Sequence, residues 1–313
     1  MKSFAYLSVF SALASSVVAV PAGQKEKRAE YTVNDGLVLN YALTLEHLEG
    51  KFYREGLQNF TKQNFLDAGY NETFYNNLLE ISYDETQHVS FLTGALQAAG
   101  IPPVPECTYA FGITSLPQFL ATASLLEGVG VSAYLGAADS IATKAYLTAA
   151  GSILTVEARH SSYLRQGLKT SPFAQPYDAP LDFNMVFTLA APFIKSCPPG
   201  APTLPFTAFP GIKLSADSPT PVTTGSAITL VTDGYILNEP SGVPLFAVWI
   251  AATGPVYVPA TLMADGMHVD TVVPPGVHGQ SYVVLSGCRD YLADDVVAAG
   301  PGVVEVAGAN GMP

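Results

Sequence analysis

The sequence predicts an α+β chain of two domains: a four-helix bundle with a fifth helix, then a β-sandwich. Three observations carry this expectation. Apolar residues keep a helical period from Tyr31 to about Cys197. Seven prolines then fall within residues 198–221, which forbids a helix there. Beyond them the apolar residues come in short β-branched runs separated by Gly, Pro and Asp.

In the first helix, Val38, Tyr41, Leu45, Leu48 and Phe52 form one apolar stripe. The second starts at Asn71 as N-cap, with Glu72 in its first turn, and stops at Gly100 before Ile101-Pro102-Pro103. A capping box, Ser115 with Gln118, and Pro117 in the first turn open the third. The fourth covers residues 145–168 and ends before Ser171-Pro172; the fifth covers residues 181–196 and is mostly apolar. The proline-rich stretch reads as a semi-rigid linker. Residues 228–232, 246–250 and 282–285 read as strands whose spacing suits an Ig-like sandwich.

Composition narrows the function classes. Of 313 residues, 49% are hydrophobic and 13% charged, which excludes disorder for the bulk. A net charge of −12 opposes electrostatic capture of nucleic acid or anionic lipid. Three cysteines without a CxxC make neither a disulfide scaffold nor a zinc ribbon. Residues 1–19, with Lys2 ahead of an apolar run and small residues near its end, read as a signal peptide. Residues 20–28 read as a pro-peptide ending at the dibasic Lys27-Arg28. Sequons at Asn59 and Asn71 fit glycosylation. The terminal Asn310-Gly311-Met312-Pro313 carries no hydrophobic tail for a lipid anchor. The expectation is a secreted, soluble protein, extracellular or in the cell wall. Its helical domain covers residues 29–197, its linker 198–221 and its β domain 222–313.

Chemistry concentrates in a repeated motif. Two of five histidines close a Glu-x-x-His: Glu85 with His88, and Glu157 with His160. For 13 glutamates, about 0.2 such pairs are expected by chance. On a helix, positions i and i+3 share a side, so each pair can hold one metal jointly. The partner helices carry Glu46 followed by Tyr53 and Glu127 followed by Tyr134, each two turns apart on one face. Each tyrosine could therefore donate to a carboxylate of the site. The order Glu-x6-Tyr, Glu-x-x-His, occurring twice, is what a pseudo-twofold bundle requires. The midpoints between Glu46 and Glu85, and between Glu127 and Glu157, fall near the expected turns.

This pattern resembles the ferritin-like superfamily, whose bundles take a Glu from each of two helices and a Glu-x-x-His from each of the others. The runs Leu45-Glu46-His47-Leu48-Glu49, Leu126-Glu127-Gly128-Val129-Gly130 and Val156-Glu157-Ala158-Arg159-His160 look like those of secreted fungal ferritin-like proteins related to desiccation and stress response. The resemblance covers about residues 31–200. It implies metal ligands Glu46, Glu85, His88, Glu127, Glu157 and His160, with Glu49 an alternative to Glu46. Four carboxylates and two imidazoles balance two divalent cations, and this donor set suits two Fe or two Mn ions. The resemblance implies peroxide or oxygen chemistry, with iron storage a weaker option. The alternative is a non-enzymatic structural or cell-surface protein, its β domain binding the wall or a protein partner.

Other residues are read more plainly. Cys107 and Cys197 can pair in an oxidising compartment, with Cys107–Cys288 and Cys197–Cys288 also open. His268 and His278 lie in the β half without acidic partners at ligand spacing, so they read as structural. Trp249 reads as core, and His47 points away from Glu46's face. Gly128 and Gly130 flank Glu127 in mid-helix and read as close helix packing.

Overall fold

The computed structural model describes residues 16–18, 32–238 and 243–308. Apart from Ser16–Val18, the signal-peptide and pro-peptide readings lie outside the described residues. The helices are α1 (Asp35–Asn59), α2 (Lys62–Asp67), α3 (Glu72–Ala98), α4 (Leu116–Ala137), α5 (Lys144–Gly167) and α6 (Phe183–Ala190). The strands of the helical half and its borders are β1 (Ser16–Val18), β2 (Thr108–Tyr109) and β3 (Ile194–Ser196). Then follow β4 (Ile212–Leu214), β5 (Ala227–Thr232), β6 (Ile236–Asn238) and β7 (Leu245–Trp249). The last are β8 (Val256–Leu262), β9 (His268–Val272), β10 (Gly279–Ser286) and β11 (Val297–Val306).

Side-chain caps start the helices where the sequence places them. Asn34 Oδ1 accepts from Leu37 N and Asn71 Oδ1 from Phe74 N, satisfying first-turn donors of α1 and α3. Ser115 Oγ accepts from Gln118 N, but Gln118 Oε1 turns back to Thr114 N instead of closing the expected box on Ser115. The start of α5 is tied from outside: Asp35 on α1 accepts from Ala142 N and Thr143 N, and these bonds hold its carboxyl below the usual range. The expected fifth helix is shorter. Pro192 lacks the N–H that would continue it, so α6 gives way to a 3-10 turn and then β3, which pairs with β2. Beside this pair Cys107 and Cys197 form a disulfide, leaving Cys288 free.

The bundle pairs α1 with α3 and α4 with α5, and α1 packs on α4. Helix α4 is apolar nearly all round because α1, α5 and α6 cover it and β10 reaches it as well. One hydrophobic core runs through Leu48, Phe52, Phe119 and Leu126 and on into Val248, Tyr282, Val284 and Val297 of the β half.

The expected Ig-like sandwich is replaced by one antiparallel sheet of seven strands, ordered β11-β10-β7-β8-β9-β5-β4. Strand β8 turns the corner: residues 256–260 pair with β7, and residues 261–262 pair with β9. The outer strands curl toward each other, with Gly300 N donating to Pro210 O at 2.8 Å. A Cβ on Gly302 would lie 3.1 Å from Ile212 O, so glycine permits that approach. The sheet is nearly a barrel, and its inside is a second core around Trp249, Val283 and Leu285. Trp249 is fully buried there.

The sheet also begins inside the stretch read as linker, at Ile212. The prolines ahead of it lie in a segment fastened to α6: Thr207 N donates to Asn184 Oδ1 and Phe209 N to Thr188 Oγ1. Polar contacts bind the halves further. Arg165 on α5 makes a two-pronged pair with Glu305 on β11, at 2.9 and 2.8 Å. Tyr282 OH donates to Gly128 O, and Gln280 Nε2 to Leu125 O.

Two glycines of α4 allow a graded test of this packing. A Cβ on Gly136 would lie 1.8 Å from the backbone oxygen of Leu181, whereas on Gly128 it would meet the movable end of the Gln280 side chain. Gly136→Ala is expected to cost about 1–3 kcal/mol or more and Gly128→Ala distinctly less, read by denaturant melts.

Candidate metal centre

Each bundle helix delivers its part by local geometry. Helix α1 brings Glu46 and Glu49, α3 brings Glu85 and His88, α4 brings Glu127, and α5 brings Glu157 and His160. Glu46, Glu85, Glu127 and Glu157 have no exposed surface. Donor atoms of Glu46, Glu85, His88 and Glu157 lie within 4.8 Å of one another, and so do those of Glu85, Glu127, Glu157 and His160. The two groups share Glu85 and Glu157. The structure thus brings together all six residues singled out as ligands.

The hydrogen-bond accounting at the centre is unusual. His88 Nδ1 lies 3.1 Å from Glu46, 3.4 Å from Glu85 and 3.3 Å from Glu157. His160 Nδ1 lies 3.1 Å from Glu85 and 3.2 Å from Glu127. An imidazole nitrogen carries at most one proton, so it cannot satisfy all of these oxygens. Both oxygens of Glu85 and both of Glu157 accept no well-formed hydrogen bond. Four orphaned, buried carboxylate oxygens are costly unless a cation lies between them. The donor set, hard carboxylates plus imidazole, fits a divalent transition metal there.

The tyrosines cross over. Tyr53, on the helix of Glu46, donates to Glu127 Oε1 at 2.5 Å, and Tyr134, on the helix of Glu127, donates to Glu46. Each hydroxyl therefore ties the opposite carboxylate across the α1–α4 contact, and burial beside these carboxylates raises both phenols well above the usual range.

Glu49 is buried but stands outside both donor groups. At the offset that turns Glu46 into Glu127 and Tyr53 into Tyr134, Glu49 becomes Gly130. A Cβ on Gly130 would lie 2.7 Å from Glu157 Oε2 and 3.1 Å from Glu49 Oε1. Gly130 thus leaves room for carboxylates, while Gly128 is the one that serves close packing, against Gln280 of the sheet.

Sequence reasoning missed Asp84, whose Oδ2 lies 3.2 Å from His160 Nε2. It orients the imidazole so that Nδ1 faces the centre. Its neighbour Glu85 carries the motif, so adjacency alone would have suggested it. The matching position in the other half is Val156, which cannot do the same for His88. Of the remaining histidines, His47 contacts Val104 O at 3.1 Å, away from the centre. His268 has an acidic partner after all: Asp265, three residues earlier, at 2.6 Å in a turn. His278 Nδ1 is buried without a partner.

The comparisons with known proteins follow this geometry. Residues 34–170 match the ferritin-like domain. That ferritin-like domain contains every residue of both donor groups. Over 271 residues the chain is 24% identical to Protein rds1 of Schizosaccharomyces pombe (strain 972 / ATCC 24843). That match takes 74% of this chain but 66% of the relative, so this chain spans less than two thirds of its length.

Burial and the neighbouring carboxylates push Glu85 up to about 7 and raise Glu157 and Glu49 well above the usual range. Burial opposes charge on His160, yet Glu127 and Glu85 outweigh it and raise the imidazole to about 11; His88 is raised in the same way. Groups whose folded pKa is raised give stability that is complete in acid and lost as pH rises. Metal-free protein is therefore expected to lose melting temperature from about pH 5 to about pH 8, and added Mn²⁺ to restore most at the alkaline end. A melting temperature that climbs with pH in the metal-free protein would contradict this. Asp84→Ala should lower divalent-cation affinity about 10–100-fold in chelator competition.

Proposed function

We propose that this is a secreted protein of fungal stress defence whose ferritin-like domain holds a dinuclear iron or manganese centre acting on peroxide or oxygen. The orphaned oxygens of Glu85 and Glu157, flanked on either side by one further carboxylate and one imidazole, carry this reading. Glu46 and His88 would complete one position and Glu127 and His160 the other, with Glu85 and Glu157 shared. Such a centre supplies redox chemistry toward a small oxygen species when bound. Tyr53 and Tyr134 hold the outer carboxylates in place, and Asp84 holds the imidazole of His160. An apolar void of about 20 Å³ lies against Tyr134, Leu45 and Ala42, above the 10–15 Å³ or so that one water needs. Its size suits a very small molecule. Secretion is supported by the N-terminal apolar run, by the Cys107–Cys197 disulfide and by the exposed sequon residues Asn59 and Asn71.

A second reading has its own support. The crowding of buried carboxylates makes a bound cation a staple for the bundle, which a non-enzymatic wall or surface protein could use equally. Elemental analysis of protein purified without added metal, combined with a catalase and an oxygen-uptake assay, separates the two. About two Fe or Mn per chain with turnover, both lost in His88→Ala and His160→Ala, is the expected result. Metal without turnover in either metallated form would favour the staple, and no metal at all would overturn both.

A further inference from the structure

A polar cleft of about 190 Å³ lies between the bundle and the sheet, walled by α4, α5, the loop of residues 172–179 and β10. It is separate from the carboxylate cluster: α4 presents Glu127 to the centre but Gly128 to Gln280 of β10. At this size it exceeds by an order of magnitude the roughly 10–15 Å³ one water requires. Junctions between packed domains are where ligand clefts usually occur.

Its walls offer donors and acceptors in alternation. Arg165, buried on the floor, uses Nε on Ser171 O and one N–H of each terminal nitrogen on Glu305, so two of its five N–H groups remain. Gln280 donates to Leu125 O and Tyr282 OH, and its Oε1 accepts nothing among the described residues. Ser161 adds a hydroxyl, and Asp178 adds a carboxylate at the mouth. Phe173 stands at the rim with 81% of its surface exposed.

An anion entering here would meet Asp178 and Glu305, and a cation would meet Arg165. A hydroxyl group both donates and accepts, so a molecule carrying several of them matches both kinds of wall group at once. The C–H face of a sugar ring also packs on an exposed aromatic such as Phe173. We propose that this cleft binds a neutral polyhydroxylated ligand, a saccharide about one ring in size, free or at the end of a glycan chain.

The test is saturation-transfer NMR on the full chain with glucose, mannose, N-acetylglucosamine and their β-linked di- and tetrasaccharides. Putrescine and inorganic phosphate serve as the charged comparisons. Saturable binding of at least one saccharide is expected, weakened about tenfold or more by Asp178→Ala and several-fold by Phe173→Ala. Both side chains are exposed, so both variants should keep the parent melting temperature. Ser161→Phe, which fills the cleft, should abolish binding. Tighter binding of the tetrasaccharide would identify a chain end, and equal binding a free sugar; either supports the proposal. Binding of no saccharide, binding unchanged in all three variants, or saturation by putrescine or phosphate alone would overturn it.

Discussion

Four carboxylate oxygens without a hydrogen-bond donor, on Glu85 and Glu157, set the terms for the whole helical domain. Burying a charge without a partner costs several kcal/mol or more. The surrounding structure is arranged around that cost. Two imidazole nitrogens face the oxygens, two further carboxylates stand at either side, and two phenols cross the bundle to hold those carboxylates. The crossing needs α1 and α4 in direct contact with both tyrosines fully or nearly fully buried. The apolar cores above and below the centre keep water away and strengthen every charge interaction inside.

The internal twofold is broken at two places. Glu49 has Gly130 as its counterpart, and the missing side chain accommodates the surplus carboxylate. Asp84 orients His160, whereas Val156 leaves His88 without such a partner. The two halves of the donor cluster are therefore chemically different despite the repeated motif. A repeat in sequence is compatible with inequivalent sites because one residue per half suffices to differentiate them.

The β half is an integral part of the packing. Tyr282, Val284 and Val297 enter the core that begins with Leu48 and Phe52, and Tyr282 also bonds the carbonyl of Gly128, next to Glu127. The helix carrying one outer carboxylate is thereby pressed between the bundle and the sheet. This explains why α4 is so apolar: a helix covered on all sides has no polar face to show. It also explains why the proline-rich stretch does not hang free, since α6 supplies the side chains that satisfy its backbone N–H groups.

The sequence by itself determined what depends on neighbours along one helix or strand. The Glu-x-x-His pairs, the helix starts at Asn71 and Ser115, and the change of period after Cys197 are local signals, and they were legible because i, i+3 and i+7 geometry is fixed by the helix itself. Only the tertiary structure decided which tyrosine serves which carboxylate, that Glu49 stands aside, that Asp84 reaches His160, and that seven strands join in one curled sheet. These are contacts between residues far apart in the chain, set by how elements pack and by which glycine leaves a gap. No periodicity along a single element encodes them, because their energies arise only once the elements meet.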